Sequence, residues 1–420
     1  MAKKIAIIGS GISGLTSAYL LHENNDVTVF EANDYIGGHT ATKDVTIEDK
    51  SYAIDTGFIV FNDWTYPNFI KLMDKLGVKS QATEMSFSVK NLAESLEYNG
   101  NTVNSLFAQR RNIFRPKFIK LVRDILRFNK ECKKLTLDKV DKNKTLIEFI
   151  HELGLSDVFI DNYILPMCAA IWSSSVEDTK AFPLRFFLQF FNNHGLLNVT
   201  DRPQWYTIIG GSREYIAPLT QGFVNSIRLN TPITSVQQSE GGYLLSFGDN
   251  QTEQFDEVIF ACHSDQALKM LAQPTPEQQA ILGAIPYAMN DVVLHTDTQI
   301  LPKRELAWAS WNYLIKGEKG EQAKPASVTY NMNILQRLKS ETTFCVTLNN
   351  TQAIDPTKIL RSYRYAHPQY NLDMVAAQQR RNEICGMDGL HFCGAYWYNG
   401  FHEDGVRSAL DVCKRFGEEL

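Results

Sequence analysis

The start of the chain constrains the fold most strongly, because a short apolar run there breaks at once into closely spaced glycines. The run covers residues 5–8, helix-forming residues follow from 15, and between them lies Gly9-Ser10-Gly11-Ile12-Ser13-Gly14. This order predicts a strand, a tight turn and a helix. Gly9 permits the turn, Gly11 lets the backbone approach a pyrophosphate, and Gly14 lets the helix pack on the strand. The free N–H groups at the helix N-terminus, including those of Ile12 and Ser13, would then face the phosphates.

A second predicted strand, residues 26–30, ends in an acidic residue. This residue, Glu31, lies seventeen positions after Gly14. A carboxylate at that strand end can accept hydrogen bonds from both hydroxyls of an adenosine ribose, and it would repel a 2′-phosphate. A glycine-rich turn between two strands, followed by this acid, predicts a dinucleotide-binding unit.

Two later segments indicate which dinucleotide is bound. A second glycine pair, Gly37-Gly38, stands before His39 and Thr40, where the first strand-helix-strand unit should end. Near the C-terminus, an apolar run ends at Gly394, and a final helix is introduced by Gly400-Phe401-His402-Glu403-Asp404-Gly405-Val406. A nicotinamide dinucleotide could be held largely by the first unit, whereas FAD is longer and needs a second segment for its flavin end. The sequence therefore predicts FAD.

These motifs, with the turn Thr231-Pro232-Ile233, resemble the flavin-containing amine oxidase and phytoene desaturase superfamily, and most closely its bacterial branch of FAD-binding oxidoreductases. The resemblance implies an α/β protein with two parts. One is a Rossmann-type FAD-binding domain built of three layers, two of β-strands and one of helices (ββα), and the other is an inserted α+β substrate domain. It also implies that the backbone of Ile233 meets the adenine and that Gly57 lies close to the flavin. His402 and Glu403 would present backbone N–H groups to the flavin's N1–C2=O edge. Because no cysteine lies between residues 346 and 384, where the covalent amine oxidases carry theirs, we expect non-covalent FAD.

The same resemblance suggests how the chain is divided. We expect residues 1–62, 203–284 and 385–420 to form the FAD-binding domain. Residues 63–202 and 285–384 would form the substrate domain, with its helical part at 105–200. Within the first segment, residues 45–52 are predicted to be one strand, and residues 66–76 a helix that stops at Gly77.

The catalytic positions of the amine oxidases look altered here. Their lysine position falls near Asn290, and their C-terminal tyrosine falls at Phe401; Tyr365 is the candidate for the second tyrosine. The loss of a polar aromatic residue favours an apolar substrate. Three functions follow: an FAD oxidoreductase that desaturates or isomerises a fatty acyl chain, a flavin amine oxidase that produces hydrogen peroxide, and a non-catalytic flavin-binding protein.

Two stretches bear on the substrate. Residues 109–134 carry ten Lys or Arg against two acids, a local net charge of +8 in a chain of net charge −5. They predict a basic amphipathic helix from Pro116, with one apolar face formed by Phe114, Phe118, Leu121, Val122 and Ile125. This helix is a solvated domain helix, a contact with an anionic membrane through residues 110–134 or, least favoured, a contact with nucleic acid. Residues 164–172 and 182–191 are rich in apolar and aromatic side chains and form either core or an apolar tunnel. We interpret Cys168, within the first of these stretches, and His194, three residues after the second, as structural residues rather than catalytic ones. His263 follows a predicted strand at the edge where open α/β sheets bind ligands, and it is a site candidate of lower rank than the residues named above.

The bulk properties fit an intracellular enzyme of two or three domains. No run of about 20 apolar residues and no cleavage-site pattern is present, so we expect a cytoplasmic protein, with peripheral contact at the inner face of the membrane as an alternative. Seven scattered cysteines without a C-x-x-C pair predict reduced thiols and no metal site. The net negative charge predicts no binding of nucleic acid. A single GxGxxG predicts no second pyridine nucleotide site.

Overall fold

The computed structural model describes residues 2–249, 251–318 and 320–420. Its strands, in chain order, are β1 Lys4–Ile8, β2 Asp26–Phe30, β3 Thr42–Ile47, β4 Lys50–Asp55, β5 Phe61–Asn62, β6 Ser80–Thr83, β7 Phe87–Asn91, β8 Leu96–Asn99, β9 Trp205–Ile208, β10 Ile227–Arg228, β11 Ile233–Ser239, β12 Gly242–Phe247, β13 Gln251–Phe255, β14 Glu257–Phe260, β15 Tyr287–His295, β16 Trp311–Ile315, β17 Val328–Asn331, β18 Cys345–Leu348, β19 Ile359–Pro368 and β20 Leu390–Phe392.

The helices are mostly short, and many of them belong to the middle of the chain. They are α1 Ile12–Leu21, α2 Pro67–Leu76, α3 Val103–Leu106, α4 Pro116–Cys132, α5 Leu146–Glu152, α6 Asp157–Phe159, α7 Leu165–Trp172, α8 Val176–Lys180, α9 Leu184–Asn193, α10 Ile216–Thr220, α11 Ser264–Met270, α12 Pro276–Gly283, α13 Met332–Leu335, α14 Leu372–Gln379 and α15 His402–Cys413. A 3₁₀ turn, Arg110–Phe114, precedes α4. Within the described residues, no helix is both long and apolar enough to cross a membrane.

A parallel sheet in the order β10-β2-β1-β14-β20 is the centre of the nucleotide-binding unit. Its strands are nearly continuous runs of buried apolar residues, which is typical of a sheet covered on both faces. On one face lies the antiparallel meander β11-β12-β13, where Phe247 and Phe255 pack against Phe30 of β2 with ring centroids 5.4 and 5.7 Å apart. Helices α1 and α15 pack together on the sheet. The structure thus confirms the expected Rossmann-type layers.

A mixed sheet of seven strands, in the order β19-β15-β18-β17-β16-β7-β8, supports the rest of the chain. Strands β15 and β19 form its longest antiparallel pair, from Tyr287 opposite Pro368 to His295 opposite Ile359. The helices from α3 to α9 follow β8 in sequence. This arrangement confirms an inserted α+β part next to the Rossmann-type part.

The aromatic residues of the middle segment pack into a core. Phe128 of α4 contacts Phe159 and Phe187, at centroid distances of 5.2 and 5.8 Å, and all three are fully buried. Cys168 is also fully buried, and Nδ1 of His194 donates to the Phe190 carbonyl at 3.0 Å while the His194 ring stacks on that of Phe190 at 4.0 Å. Both residues therefore have the structural surroundings that the sequence predicted.

Two local predictions need correction or comment. Residues 45–52 are not one strand: Glu48 and Asp49 both have positive φ and make the turn of the β3-β4 hairpin. Helix α2 does end at Gly77, which adopts a left-handed conformation. The division into domains remains a prediction, although α2 contacts α15 and β6 pairs with β9, so residues 67–83 lie beside the nucleotide-binding unit rather than apart from it.

Candidate functional site

The glycine-rich turn has the geometry that its spacing predicts. Gly9 has φ +110°, and a Cβ there would lie 2.7 Å from the Ala261 carbonyl oxygen. A Cβ on Gly14 would lie 2.0 Å from the Gly9 oxygen, which shows why the helix can approach the strand so closely. Around Gly11 a Cβ would meet nothing within 4 Å. No contact within the protein therefore requires a glycine at position 11. The space beside it, at the N-terminus of α1 where no side chain caps the helix, is left open for a bound group.

Glu31 lies beside this turn with its carboxylate almost completely buried. One carboxylate oxygen accepts hydrogen bonds from the Ser10 amide at 3.0 Å and hydroxyl at 2.6 Å. The other accepts from the backbone and side-chain amides of Asn33, at 2.9 and 2.8 Å. The Thr231 amide donates to the Glu31 carbonyl at 2.8 Å, which brings the turn before Ile233 to the same place. Glu31 and Ile233 thus lie together at the end that the sequence assigns to the adenosine.

We expect Glu31→Ala to weaken FAD retention by about 1.5–3 kcal/mol, the usual contribution of charge-assisted hydrogen bonds. The loss includes the bonds that fix Ser10 in the glycine-rich turn. Dialysis of the holoprotein against a series of free FAD concentrations would measure it, with Glu23→Ala as the matched control, because Glu23 is exposed. Equal retention by Glu31→Ala and the control would contradict the ribose assignment.

The second glycine pair lies directly against the first. The Gly37 amide donates to the Ser10 carbonyl at 3.1 Å, and a Cβ on Gly38 would lie 3.3 Å from the Gly11 Cα. Gly57 is also small for the sake of chain packing: its Cβ would lie 2.2 Å from the His39 carbonyl oxygen. This contact explains Gly57 without reference to a flavin ring.

The C-terminal element reaches the same edge of the sheet. Gly394 follows β20, and its amide donates to the Ser408 hydroxyl at 2.8 Å. Gly405 and the fully buried Val406 lie in α15, where a Cβ on Gly405 would come 2.6 Å from Ile12 of α1. The ends of β1, β2, β14 and β20 are the carboxyl ends of parallel strands, the place where open α/β sheets bind their ligands.

The side chains of His402, Glu403 and Asp404 have structural partners. The ring of His402 stacks on Phe58 at 3.8 Å and bonds to the Tyr215 hydroxyl at 2.8 Å; Tyr215 in turn bonds to the Thr40 hydroxyl. Glu403 accepts bonds from the amides of Asn68 and Phe69 at the N-terminus of α2. Asp404 accepts from the Phe401 amide at 2.9 Å, and burial raises its pKa to about 7. The predicted flavin contacts of His402 and Glu403 are through backbone, and these side-chain bonds fix that backbone.

Asn290 and Tyr365 are direct cross-strand neighbours in the β15-β19 pair. Asn290 is fully buried; its side-chain oxygen accepts a bond from Asn349 at 2.7 Å and its nitrogen lies 3.3 Å from Nδ1 of His367. The hydroxyl of Tyr365 lies 3.1 Å from that of Thr56. The structure therefore brings two of the three predicted catalytic positions together, although their roles stay predictions.

Two histidines, His39 and His367, contact this pair, and His263 and His402 lie close to His39; the four are named here the histidine cluster. The ring of His39 lies 5.3 Å from Tyr365, 5.8 Å from His367 and 6.1 Å from His263. Burial lowers the pKa of His39 and of His263 to about 4, and that of His367 and of His402 to about 3; neighbouring histidines lower each of them further. The cluster is therefore neutral at pH 7. In the described ranges, no three His, Cys, Asp or Glu side chains converge as a metal site requires.

Phe401 lies where the C-terminal element meets α9. Its ring stacks on Phe190 of α9 at 5.3 Å and lies 5.7 Å from His194. It lines a cavity of about 340 Å³ together with Trp64, Tyr66, Pro67 and Arg407, among others. Next to it, Tyr370 lies with its hydroxyl 2.6 Å from where a Gly400 Cβ would be, and its ring stacks on Phe186 at 5.1 Å. Tyr370, at Gly400, and Tyr66, in the cavity, are thus the tyrosines near Phe401, whereas Tyr365 lies at Thr56.

The sequence model of the flavin containing amine oxidoreductases matches residues 12–332. The chain belongs to this family. The match begins inside the glycine-rich turn and ends beyond β17, so it includes β2, β10 and β14 of the nucleotide-binding sheet and five strands of the seven-stranded sheet.

Individual relatives of the family are distant. The L-amino-acid oxidase of Mus musculus is 23% identical over 312 residues, 68% of this chain and 46% of that protein. A CLA-producing fatty acid isomerase from P. acnes has the same fold with a TM-score of 0.69 and 13% identity, covering 99% of this chain and 98% of that chain. Cyclohexylamine oxidase from Brevibacterium oxydans gives 0.68 and 14%, covering 99% and 100%. The chain spans less than half the length of the curated relatives that it matches.

The residues of the site fit FAD, the cofactor that the family implies. Gly11 leaves open space beside uncapped N–H groups for a pyrophosphate, and Glu31 stands at the adenosine end. At the other end, Nε2 of His39 is buried and has no hydrogen-bond partner among the described residues. A buried polar atom of this kind is costly unless a bound group or water satisfies it. These residues would hold the two ends of an extended dinucleotide.

Proposed function

We propose that the protein is an FAD-dependent oxidoreductase that abstracts hydride from an apolar substrate and desaturates or isomerises a fatty acyl chain. The observation that carries this proposal is the environment of Phe401. Its neighbours Phe190, Tyr370 and Phe186 offer an apolar aromatic surface at the C-terminal flavin element. Two carboxyls also line the cavity at Phe401, but that of Glu403 is bonded to the amides of Asn68 and Phe69, and that of Asp404 to the Phe401 amide. The proposal therefore rests on the aromatic rings themselves, against which a hydrocarbon chain can pack.

The position of Phe401 also connects the site to the aromatic core. Phe190 contacts Phe191 at 6.2 Å, Phe191 contacts Phe187 at 4.0 Å, and Phe187 contacts Phe128 on α4 at 5.8 Å. This row is packed rather than open. An acyl chain that entered along this row would replace contacts between aromatic rings by other apolar contacts. This exchange costs less free energy than breaking polar contacts would.

FAD, when bound, supplies the chemistry of accepting a hydride at N5. The chain's own residues have three tasks around that reaction: to hold the acyl C–H bond, to exclude water and to take up a proton. Phe401 and Phe190 would position the chain by contact. The imidazoles of His39 and His367 are neutral and would be the acceptors of the proton that leaves with the hydride, but burial lowers their pKa to about 4 and about 3, so each would hold that proton only transiently. For an isomerisation, hydride and proton would both be returned to the chain at a different carbon.

One further feature bears on the choice between an acyl substrate and an amine. The fold itself is compatible with both, since a fatty acid isomerase and an amine oxidase each share it over their full length. The lysine position of the amine oxidases is expected near Asn290, and the Asn290 side chain accepts a bond from Asn349 and lies 3.3 Å from Nδ1 of His367. The alternative hypothesis, an amine oxidase, is supported by the name of the family and by similar proteins that are named as oxidases of an amino acid and of an amine.

The test is anaerobic incubation of the holoprotein with long-chain acyl substrates, saturated and unsaturated, and with a panel of amines. A desaturase should bleach the visible absorbance of its flavin with an acyl substrate, and an isomerase should leave the flavin oxidised while mass spectrometry or ultraviolet absorbance shows a moved double bond.

Phe401→Tyr should lower kcat/KM for the acyl substrate by about tenfold, because a hydroxyl buried without a partner costs about 1–3 kcal/mol.

Two results would contradict the proposal, and a third would contradict a separate expectation. Rapid flavin reduction by an amine, with peroxide formed when oxygen is admitted, would assign the protein to the amine oxidases. A flavin that no substrate reduces, with acyl chains recovered unchanged, would leave a non-catalytic flavin-binding protein. Reduction by NADH or NADPH would contradict the expected lack of a pyridine nucleotide site.

A further inference from the structure

The outer face of α4 carries a line of exposed cations. Lys120, Arg123, Arg127 and Lys130 follow one another at spacings of three and four residues, so their side chains lie on one face of the helix, and all four are exposed. In the part of the chain that the structure describes, none of the four forms an ion pair with a carboxylate. These residues, with Lys117, Arg115 and the 3₁₀ turn Arg110–Phe114, are named here the α4 surface.

The two acids of this segment do not neutralise the α4 surface. Asp124 faces inward, where its carboxylate accepts bonds from the Ser156 hydroxyl and, at 3.1 Å, from its amide. Glu131 is paired with Lys134, at 2.7 Å. The outward charge is therefore strongly positive in a protein whose net charge is −5.

Large apolar side chains project from the same surface. The sequence predicts that Phe114 joins Phe118 and Leu121 on the buried face, and this prediction is wrong: Phe118 and Leu121 are buried, but Phe114 ends the 3₁₀ turn and is 86% exposed. Ile113 beside it is 48% exposed. Leu126, seven residues on from the exposed Ile119, adds a second apolar position next to the cations.

Hydrogen bonds hold the neighbouring α3 segment against this turn. The guanidinium of Arg110 donates to the carbonyls of Asn104 and Phe107, at 3.3 and 3.0 Å, and to the Asn104 side chain at 2.7 Å. Arg111 donates to the Ser95 carbonyl at 2.6 Å. Val103, which is 76% exposed, is therefore carried on the same rigid surface as Phe114. Exposed aromatic and branched side chains rimmed by cations are a typical interaction surface.

We propose that the α4 surface docks on an anionic membrane. Its cations match phosphate-bearing headgroups, and Phe114, Ile113 and Val103 would enter the boundary between headgroups and acyl chains. Nucleic acid would match the charge but would leave three apolar side chains in water, so the lipid surface fits both properties. The inner face of α4 carries Phe128, the start of the aromatic row that ends at Phe401. That the membrane also supplies the substrate along this row rests on the proposed function.

Flotation of the full-length holoprotein with liposomes tests the docking without any turnover, so its failure is distinct from a failure of the proposed reaction. The wild type should float with vesicles of phosphatidylcholine and phosphatidylserine, should not float with phosphatidylcholine alone, and should be released as salt shortens the screening length below about 10 Å. Replacing Lys120, Arg123, Arg127 and Lys130 by Gln should lower the partition coefficient by about 100-fold or more, since each basic residue near anionic lipid contributes about fivefold. Phe114→Ala should lower it by about tenfold, because one exposed aromatic side chain no longer enters the lipid.

The matched control replaces four exposed lysines elsewhere, Lys50, Lys71, Lys269 and Lys339, by Gln. It removes the same total charge and should float like the wild type. Equal losses in both quadruple variants would show a response to net charge alone and would overturn the proposal, as would a wild type that ignores anionic vesicles at low salt. Binding of a DNA or RNA duplex that only the α4 variant loses, without liposome binding, would assign the surface to nucleic acid instead.

Discussion

Gly11→Val should give a folded protein without bound flavin, whereas Gly14→Ala should fail to fold. The contrast follows from what each new side chain would meet. At Gly11 the backbone has φ −68° and ψ 177°, which any residue adopts, and a Cβ meets nothing within 4 Å. The valine therefore costs the fold little but fills the space that a pyrophosphate needs, and FAD affinity should fall by at least about 100-fold. At Gly14 the Cβ would be 2.0 Å from the Gly9 oxygen, and neither backbone can move without separating α1 from β1.

The measurements are the ratio of visible to protein absorbance in the purified variants and their circular dichroism. Gly11→Ala should give an intermediate result, since a single methyl group intrudes less than an isopropyl group. A Gly11→Val protein that keeps its flavin would show that the pyrophosphate lies elsewhere, and the assignment of the glycine-rich turn would be wrong. A Gly14→Ala protein that folds and binds FAD would contradict the packing argument alone.

The glycine roles could be predicted from the sequence because they depend on contacts within one strand, one turn and one helix. The spacing of Gly9, Gly11 and Gly14 determines their relative positions once the strand and helix form, and Glu31 ends the next parallel strand. Gly57 shows the limit of such reasoning. Its neighbour is the His39 carbonyl, eighteen residues away and beyond a hairpin, and no local pattern predicts that contact.

The histidine cluster could not be predicted for the same reason. Its members come from the second glycine pair, the end of β14, β19 and the start of α15, and their proximity depends on the register in which β15 pairs with β19. One signal was available in the sequence: His263 follows a buried parallel strand, at the edge where ligands bind. His367 and Tyr370 gave no comparable signal. They lie at and just after the end of β19, and the sequence does not show which part of the protein this strand end faces. The prediction for Phe114 was wrong because the helical periodicity does not apply to residues before Pro116, where the helix begins.

The histidine cluster should make the protein unstable in mild acid. A histidine whose folded-state pKa is lowered contributes stability that is fully present above its unfolded pKa of about 6.5 and is lost as the pH falls towards the folded value. With folded pKa values of about 4 for His39 and His263 and about 3 for His367 and His402, the window of loss runs from about pH 6.5 downwards. Each histidine then costs about 2 kcal/mol at pH 5. Because His39 lies about 6 Å from His263 and His367, protonating one of them opposes protonation of the next.

Two buried carboxyls act in the opposite direction, and magnitudes decide the outcome. Burial raises the pKa of Asp55 to about 6 and that of Asp404 to about 7, so the folded state holds protons that the unfolded state releases, and acid stabilises the protein through these two groups. Together they offset about 4 kcal/mol at pH 5, about half of what the four histidines lose. The free energy of unfolding from urea titrations should therefore be several kcal/mol lower at pH 5 than at pH 7.5. His402→Gln, which can keep the bond to Tyr215, should reduce that difference by about 2 kcal/mol, while the exposed His151→Gln should leave it unchanged. Equal stability at the two pH values would mean that the cluster is not neutral and buried in the folded protein.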